Sequence, residues 1–153
     1  MNHRILIADD NPEKLKAIEL FILSRFESFE LDFSYSYNST IKKLKTIQYD
    51  LVILDMSMPT FDPKEGVTPQ VKPLAGKDVM SRLKYKNNAL PVIIITQFEI
   101  FGRMSDTIDL QNLQQNLSES FPDNFTGCVF YDPLSSSWSE SLGELIMEVV
   151  GFE

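Results

Sequence analysis

Cysteine and histidine are almost absent from this chain: Cys128 and His3 are its only examples. A single cysteine excludes an internal disulfide and fits a reducing compartment. With one histidine beside it, no thiolate–imidazole cluster for zinc can be assembled. Basic residues are also scarce, 14 Lys and Arg against 22 Asp and Glu, for a formal net charge of −8. Binding to nucleic acid or to an anionic membrane depends on Lys and Arg meeting phosphates, so neither is an expected partner. No apolar run approaches the roughly 20 residues that span a bilayer. Met1-Asn2-His3-Arg4 leads into a short apolar stretch without the layout of a signal peptide. The expected location is therefore cytoplasmic. No glycine-rich loop follows that first apolar stretch, which removes the usual cradle for a dinucleotide or a flavin phosphate.

What is present reads as one globular domain over residues 1–153, at 43% hydrophobic and 24% charged. There is no internal repeat, low-complexity tract or linker. Four short apolar runs, at 5–8, 51–54, 92–95 and 128–131, are rich in β-branched or aromatic residues and too short for helices. Their unbroken apolarity predicts strands covered on both faces, as in a parallel sheet. Phe29, Leu31, Phe33 and Tyr35 instead alternate with Glu30, Asp32 and Ser34, the period of a half-exposed edge strand.

Helical patterns lie between these runs. Asn11-Pro12 reads as an N-cap followed by proline in the first turn, with Leu15, Ile18, Ile22 and Phe26 on one face. Ser39 is the expected cap of a helix bearing Ile41 and Leu44. Residues 76–86 carry Val79, Met80 and Leu83. Ile108, Leu110, Leu113 and Leu117 predict a fourth helix. Ser137 to Glu140 has capping-box spacing, ahead of Trp138, Leu142, Leu145 and Val149. Strand and helix thus alternate five times, which predicts an α/β, doubly wound, five-stranded parallel sheet with helices on both faces. Two connections are long, within 56–75 and 97–126. The first holds four prolines and is not expected to be helical.

Ligands of open α/β sheets bind at the carboxyl ends of the strands. Those ends carry Asp9-Asp10, Asp55, Thr96 and Tyr131-Asp132. If the first and third strands are neighbours, Asp9, Asp10 and Asp55 converge. Like charges so close need neutralising, and a hard divalent cation such as Mg²⁺ suits oxygen ligands. The remaining chemistry is sparse. Cys128 inside an apolar strand reads as inert core, His3 as an exposed strand-end residue, and Ser135 to Ser137 as a helix entry.

Three stretches carry a family resemblance. They are Ile5-Leu6-Ile7-Ala8-Asp9-Asp10, then Leu51-Val52-Ile53-Leu54-Asp55-Met56-Ser57-Met58-Pro59, then Val92-Ile93-Ile94-Ile95-Thr96. An acidic pair after the first strand with D-x-x-M-P after the third resembles the receiver domain of bacterial response regulators, of the CheY-like kind. The resemblance implies a flavodoxin-like sheet of order 2-1-3-4-5. It implies Asp55 as phosphoacceptor and Mg²⁺ held by Asp9, Asp10, Asp55 and the backbone carbonyl of Ser57. It also implies Thr96 as a switch hydroxyl that turns toward the phosphoryl group. The implied partners are a histidine kinase or phosphotransfer protein and a downstream protein. No output domain is expected in the chain.

The departures are equally specific. The family places a lysine before a proline after the fifth strand; here Tyr131 and Asp132 precede Pro133. If Asp132 takes that place, it sets a negative charge where a positive one should meet phosphate. Lys64, Lys72 and Lys77 are the candidate substitutes. Gln97 is large where the family favours a small residue. The position of the aromatic switch falls on Cys128 or Val129, and Asp55 to Thr96 spans 41 positions, longer than in ordinary receivers. Two further readings follow: a pseudo-receiver that binds partners without phosphorylation, and a phosphohydrolase of the haloacid-dehalogenase type. The latter needs a second Asp two positions after the nucleophile, where this chain has Ser57.

Overall fold

The computed structural model describes residues 3–64, 66–97, 100–101 and 108–151. Five parallel strands form one sheet: β1 (His3–Ala8), β2 (Phe29–Ser34), β3 (Leu51–Leu54), β4 (Val92–Thr96) and β5 (Phe125–Phe130), in the order β2-β1-β3-β4-β5. Five helices connect and follow them: α1 (Pro12–Arg25), α2 (Tyr37–Thr46), α3 (Ala75–Tyr85), α4 (Leu110–Ser120) and α5 (Ser137–Val150). This is the doubly wound, flavodoxin-like architecture expected from the alternation of elements. No described helix is long and apolar enough to cross a membrane.

The central strands are buried on both faces because successive side chains point to opposite sides. Ile5, Ile7, Ile53, Ile93 and Ile95 join Ile18 and Ile22 of α1 and Leu142 and Ile146 of α5 in one core layer. Leu6, Val52, Leu54 and Ile94 join Val79 and Met80 of α3 and Leu113 and Leu117 of α4 in the other. β2 lies at the edge, with Glu30 exposed and Leu31 and Phe33 half-buried, as its alternating sequence predicts.

Several local starts differ from the sequence reading. Ser36, not Ser39, caps α2; Ser39 stands at its third position and closes the capping box from inside. The expected box at the start of α5 does not form. Ser137 is already helical, Ser136 precedes it without a side-chain cap bond, and the Ser139 hydroxyl donates to the Ser136 carbonyl. Ile108 lies ahead of α4, paired across a two-residue antiparallel bridge with Phe101. β5 begins at Phe125, earlier than its apolar run, and ends before Tyr131. His3 is half-buried rather than exposed, its ring edge-on to Phe29 at 5.4 Å.

The long connection after β3 is ordered by its own antiparallel pair, Met58–Pro59 with Val71–Lys72. Met56 and Met58 are buried beneath it. The amide of Asn38 in α2 donates to the Thr60 carbonyl and ties this connection down.

Candidate functional site

Parallel register brings the acidic strand ends together. Ala8 of β1 stands opposite Leu54 of β3, so Asp9 and Asp55 are the next residues on neighbouring strands. The Asp55 amide donates to the Ala8 carbonyl at 3.1 Å, and the Asp9 amide to that of Ser34 at 3.0 Å. Leu54 in turn faces Ile94, which sets Asp55 level with Ile95 and one residue short of Thr96. Asp9 is 1% exposed and Asp55 5%, while Asp10 stands at the solvent rim. One carboxylate oxygen from each of the three lies within 4.8 Å of the others.

A residue that the sequence reading passed over completes this arrangement. Lys14, in the first turn of α1, has no exposed surface. Its ammonium lies 2.5 Å from Asp9 Oδ2 and 3.1 Å from Asp55 Oδ2, and donates to the Ile95 carbonyl at 2.7 Å. The ammonium thus pairs with Asp9 and donates to Asp55 and to a backbone carbonyl, joining the ends of β1, β3 and β4. The Tyr131 ring, just past β5, has its centroid 5.9 Å from the same nitrogen, and that ring packs on Trp138 at 5.0 Å. The start of α1 is fixed in step: Asp9 Oδ1 accepts the Asn11 amide, and Asn11 Oδ1 accepts those of Glu13 and Lys14.

The electrostatics follow from this crowding. Burial, reinforced by the Asp55 charge and opposed by Lys14, pushes the Asp9 carboxyl up from 3.8 to about 6. Asp10 is also raised, first by loss of water around it and then by Asp55. Asp9 Oδ2 is buried with no hydrogen-bond partner, so the Lys14 ammonium is its neutralising contact. Three carboxylates and one ammonium leave two negative charges in the site. That charge and the hard oxygen donors, one from each aspartate within 4.8 Å of the others, fit a divalent cation such as Mg²⁺.

The other sequence-derived residues are placed as follows. Thr96 ends β4, fully buried, and its carbonyl accepts the Tyr131 amide at 2.7 Å. Ser57 lies half-buried in the turn after Asp55, its amide 3.5 Å from Asp55 Oδ1. Gln97 is exposed, and its side-chain carbonyl accepts Asn11 Nδ2 across the mouth of the site. Asp132 is turned into its own loop, where Oδ1 accepts the Leu134 amide at 3.0 Å across Pro133. It is not among the clustered carboxylates. Val129 and half-buried Cys128 of β5 pair with Ile95 and Ile94, and burial pushes the Cys128 thiol up to about 12, which suits an inert core residue.

Of the lysines weighed as substitute cations, Lys72 pairs with Asp78 at 3.3 Å and covers the Tyr37 ring. Lys64 covers the Phe61 ring, and Lys77 is exposed on α3. Residues 14, 18 and 22 recur at a spacing of four, so the lysine stands on the buried stripe of α1, a place its charge does not announce in the sequence.

Residues 5–111 match the family model described as response regulator receiver domain. The match stops at the start of α4, ahead of β5 and of the Tyr131-Asp132-Pro133 stretch that follows it. The Detocs response regulatory protein DtcB of Enterobacter cloacae (strain JD6301) is 36% identical over 149 residues, covering 95% of this chain and 99% of the relative. The uncharacterized protein y4jR of Sinorhizobium fredii is 28% identical over 141 residues, 91% and 93% of the two chains. In fold, the chain is similar to the phosphorylated cyanobacterial phytochrome response regulator RcpA, with a TM-score of 0.68 at 12% identity over 99% and 96% of the chains. It is also similar to the response regulator TrrA of Thermotoga maritima in its complex with Mg²⁺ and BeF, at 0.61 and 21% over 95% and 99%. The extent of the family match and the full-length DtcB relative establish that this chain belongs to the response regulator receiver domain family.

Proposed function

We propose that residues 1–153 form one receiver unit that accepts a phosphoryl group on Asp55 and signals by binding a downstream protein. The donor is a histidine kinase or phosphotransfer protein. By the name of its 36% identical relative, the system it serves is of the Detocs type. The observation that carries this reading is a buried, ion-paired Asp55 at a strand end beside two further carboxylates.

In the transfer, an Asp55 carboxylate oxygen attacks the phosphorus of a phosphohistidine. An O–P bond forms and the P–N bond breaks. The imidazole nitrogen leaves with the electron pair and takes a proton from solvent. Asp9, Asp10, Asp55 and the Ser57 carbonyl would hold Mg²⁺, which supplies charge neutralisation on the phosphoryl oxygens when bound. Asp9 is held in place by the Asn11 amide, and Asp10 stands at the rim where the donor enters. Thr96, at the adjoining strand end, is the hydroxyl proposed to turn toward the phosphoryl group.

The test is mass spectrometry after incubation with a small-molecule phosphodonor and Mg²⁺. One phosphoryl group should appear on the wild type, at Asp55, and none on Asp55→Asn. Labelling that survives the substitution overturns the assignment. A wild type that takes no label identifies a pseudo-receiver instead.

A further inference from the structure

We propose that Lys14 is the phosphate-facing cation of this site, carried on the first turn of α1 rather than in the loop after β5. The inference rests on the receiver reading above and gives a role to a residue that reading does not use. Its basis is the contact set: one ammonium, without exposed surface, touches Asp9 Oδ2, Asp55 Oδ2 and the Ile95 carbonyl.

Burying a lysine is unfavourable, and an apolar side chain on the same stripe would keep the core packed at least as well. Residues 18 and 22 on that stripe are both isoleucine, and both are fully buried. The ammonium is therefore better explained by what the site must hold than by what the fold needs. A phosphoryl group on Asp55 would sit one bond beyond a carboxylate whose oxygen Lys14 already contacts. It replaces one negative charge by two, and Lys14 is the cation within contact distance of the Asp55 carboxylate among the described residues. A charge-assisted bond from its Nζ to a phosphoryl oxygen answers the added charge.

The loop after β5 is arranged to match. Asp132 is turned away to hold the Leu134 amide, and Tyr131 places an aromatic face toward the ammonium instead of a second cation. Because Lys14 also holds the Ile95 carbonyl, one residue before Thr96, any shift of the ammonium toward phosphate loosens a contact on β4.

Calorimetric binding of beryllofluoride in saturating Mg²⁺ tests this, with Mg²⁺ alone as the parallel measurement. Wild type should bind beryllofluoride. Lys14→Met should bind it at least about tenfold more weakly, as loss of one charge-assisted bond implies, while still binding Mg²⁺. Lys14→Met combined with Asp132→Lys should regain part of the loss, because a cation returns to the other side of the site. Asp132→Lys alone should change little. Equal beryllofluoride binding by wild type and Lys14→Met overturns the role of Lys14 and leaves the receiver reading standing. No binding by wild type, together with no label on Asp55, overturns the receiver reading itself. If Lys14→Met does not fold, selectively ¹⁵N-labelled lysine decides on the wild type. The Lys14 ammonium resonance should move on addition of beryllofluoride, and an unmoved resonance overturns the proposal.

Discussion

Asp9 and Lys14 hold opposite charges in a place that neither would choose alone. Carboxylate and ammonium each lose hydration there, and removing one partner of such a buried pair costs about 3–5 kcal/mol because the other is left uncompensated. The two Asp oxygens and one backbone carbonyl around Lys14 offset that loss for the ammonium, but Asp9 Oδ2 has only the ion pair. The consequence is a carboxyl raised to about 6, chiefly by burial. The native state therefore keeps this proton at pH values where the unfolded chain, near 3.8, has already released it. Between those two values the native state binds more protons, so this group's contribution to stability falls as pH rises and levels off above about 6. A metal at this site needs the ionised form, so protons compete with it. Mg²⁺ affinity should drop by about tenfold or more from pH 7.5 to pH 5, where about one tenth of a carboxyl with this pKa is ionised. Titration calorimetry at the two pH values reads this directly. A pH-independent affinity would show that Asp9 is not a ligand.

At the scale of elements, the site depends on how closely α3 approaches the end of β3. The Gly76 amide donates to the Met56 carbonyl at 2.9 Å, just past Asp55. A Cβ at Gly76 would lie 2.7 Å from Leu54 Cδ1 and 3.2 Å from both the Asp55 carbonyl oxygen and Ile94 Cδ1. Alanine in a helix is ordinarily favoured over glycine by about 1 kcal/mol. Here the clash wins, because the Asp55 backbone cannot yield without displacing its carboxylate. Gly76→Ala should destabilise by about 1–3 kcal/mol in chemical unfolding, with weaker Mg²⁺ binding. An unchanged midpoint would mean that α3 slides freely on the sheet. Much of this level was legible in the sequence. The apolar runs at 5–8, 51–54 and 92–95 are β1, β3 and β4 with small changes at the ends, and the alternation of 29–35 marked β2 as an edge. Asp9, Asp10 and Asp55 were readable because strand ends in a parallel sheet converge once the order is known. Lys14 was not, because the stripe on α1 was read from its apolar members, and a charged residue on it looks like solvent-facing surface until its partners are seen across three strands. The direction of Asp132 was not legible either: Tyr131 and Asp132 are both candidates for the family's lysine position, and the turn at Pro133 brings the Asp132 carboxylate back onto the Leu134 amide. Helix starts at Ser36 and Ser137 depend on which serine leaves the helix, a choice among neighbours that spacing alone does not make.

The whole molecule carries −8, and the site concentrates two of those net charges where three strands end. Any added salt screens the general repulsion among acidic residues and raises stability a little. A bound divalent ion does something different in kind. It binds the folded state, where Asp9, Asp10 and Asp55 are assembled, and finds no such site on the unfolded chain. The stabilisation then grows with the logarithm of metal concentration, about 2.7 kcal/mol at one hundred times the dissociation constant. For a domain of this size each kcal/mol moves the melting temperature by about 2–4 °C. Saturating Mg²⁺ should thus raise it by about 5–10 °C, measured against NaCl at matched ionic strength so that screening cancels. Asp10→Asn should shrink the rise, since it removes a ligand at the exposed rim of the site without opening the core. Asp132→Asn should leave it intact, because that carboxylate belongs to the turn before α5. A wild type that melts at the same temperature with millimolar Mg²⁺ as with matched NaCl would show that the three aspartates serve no metal.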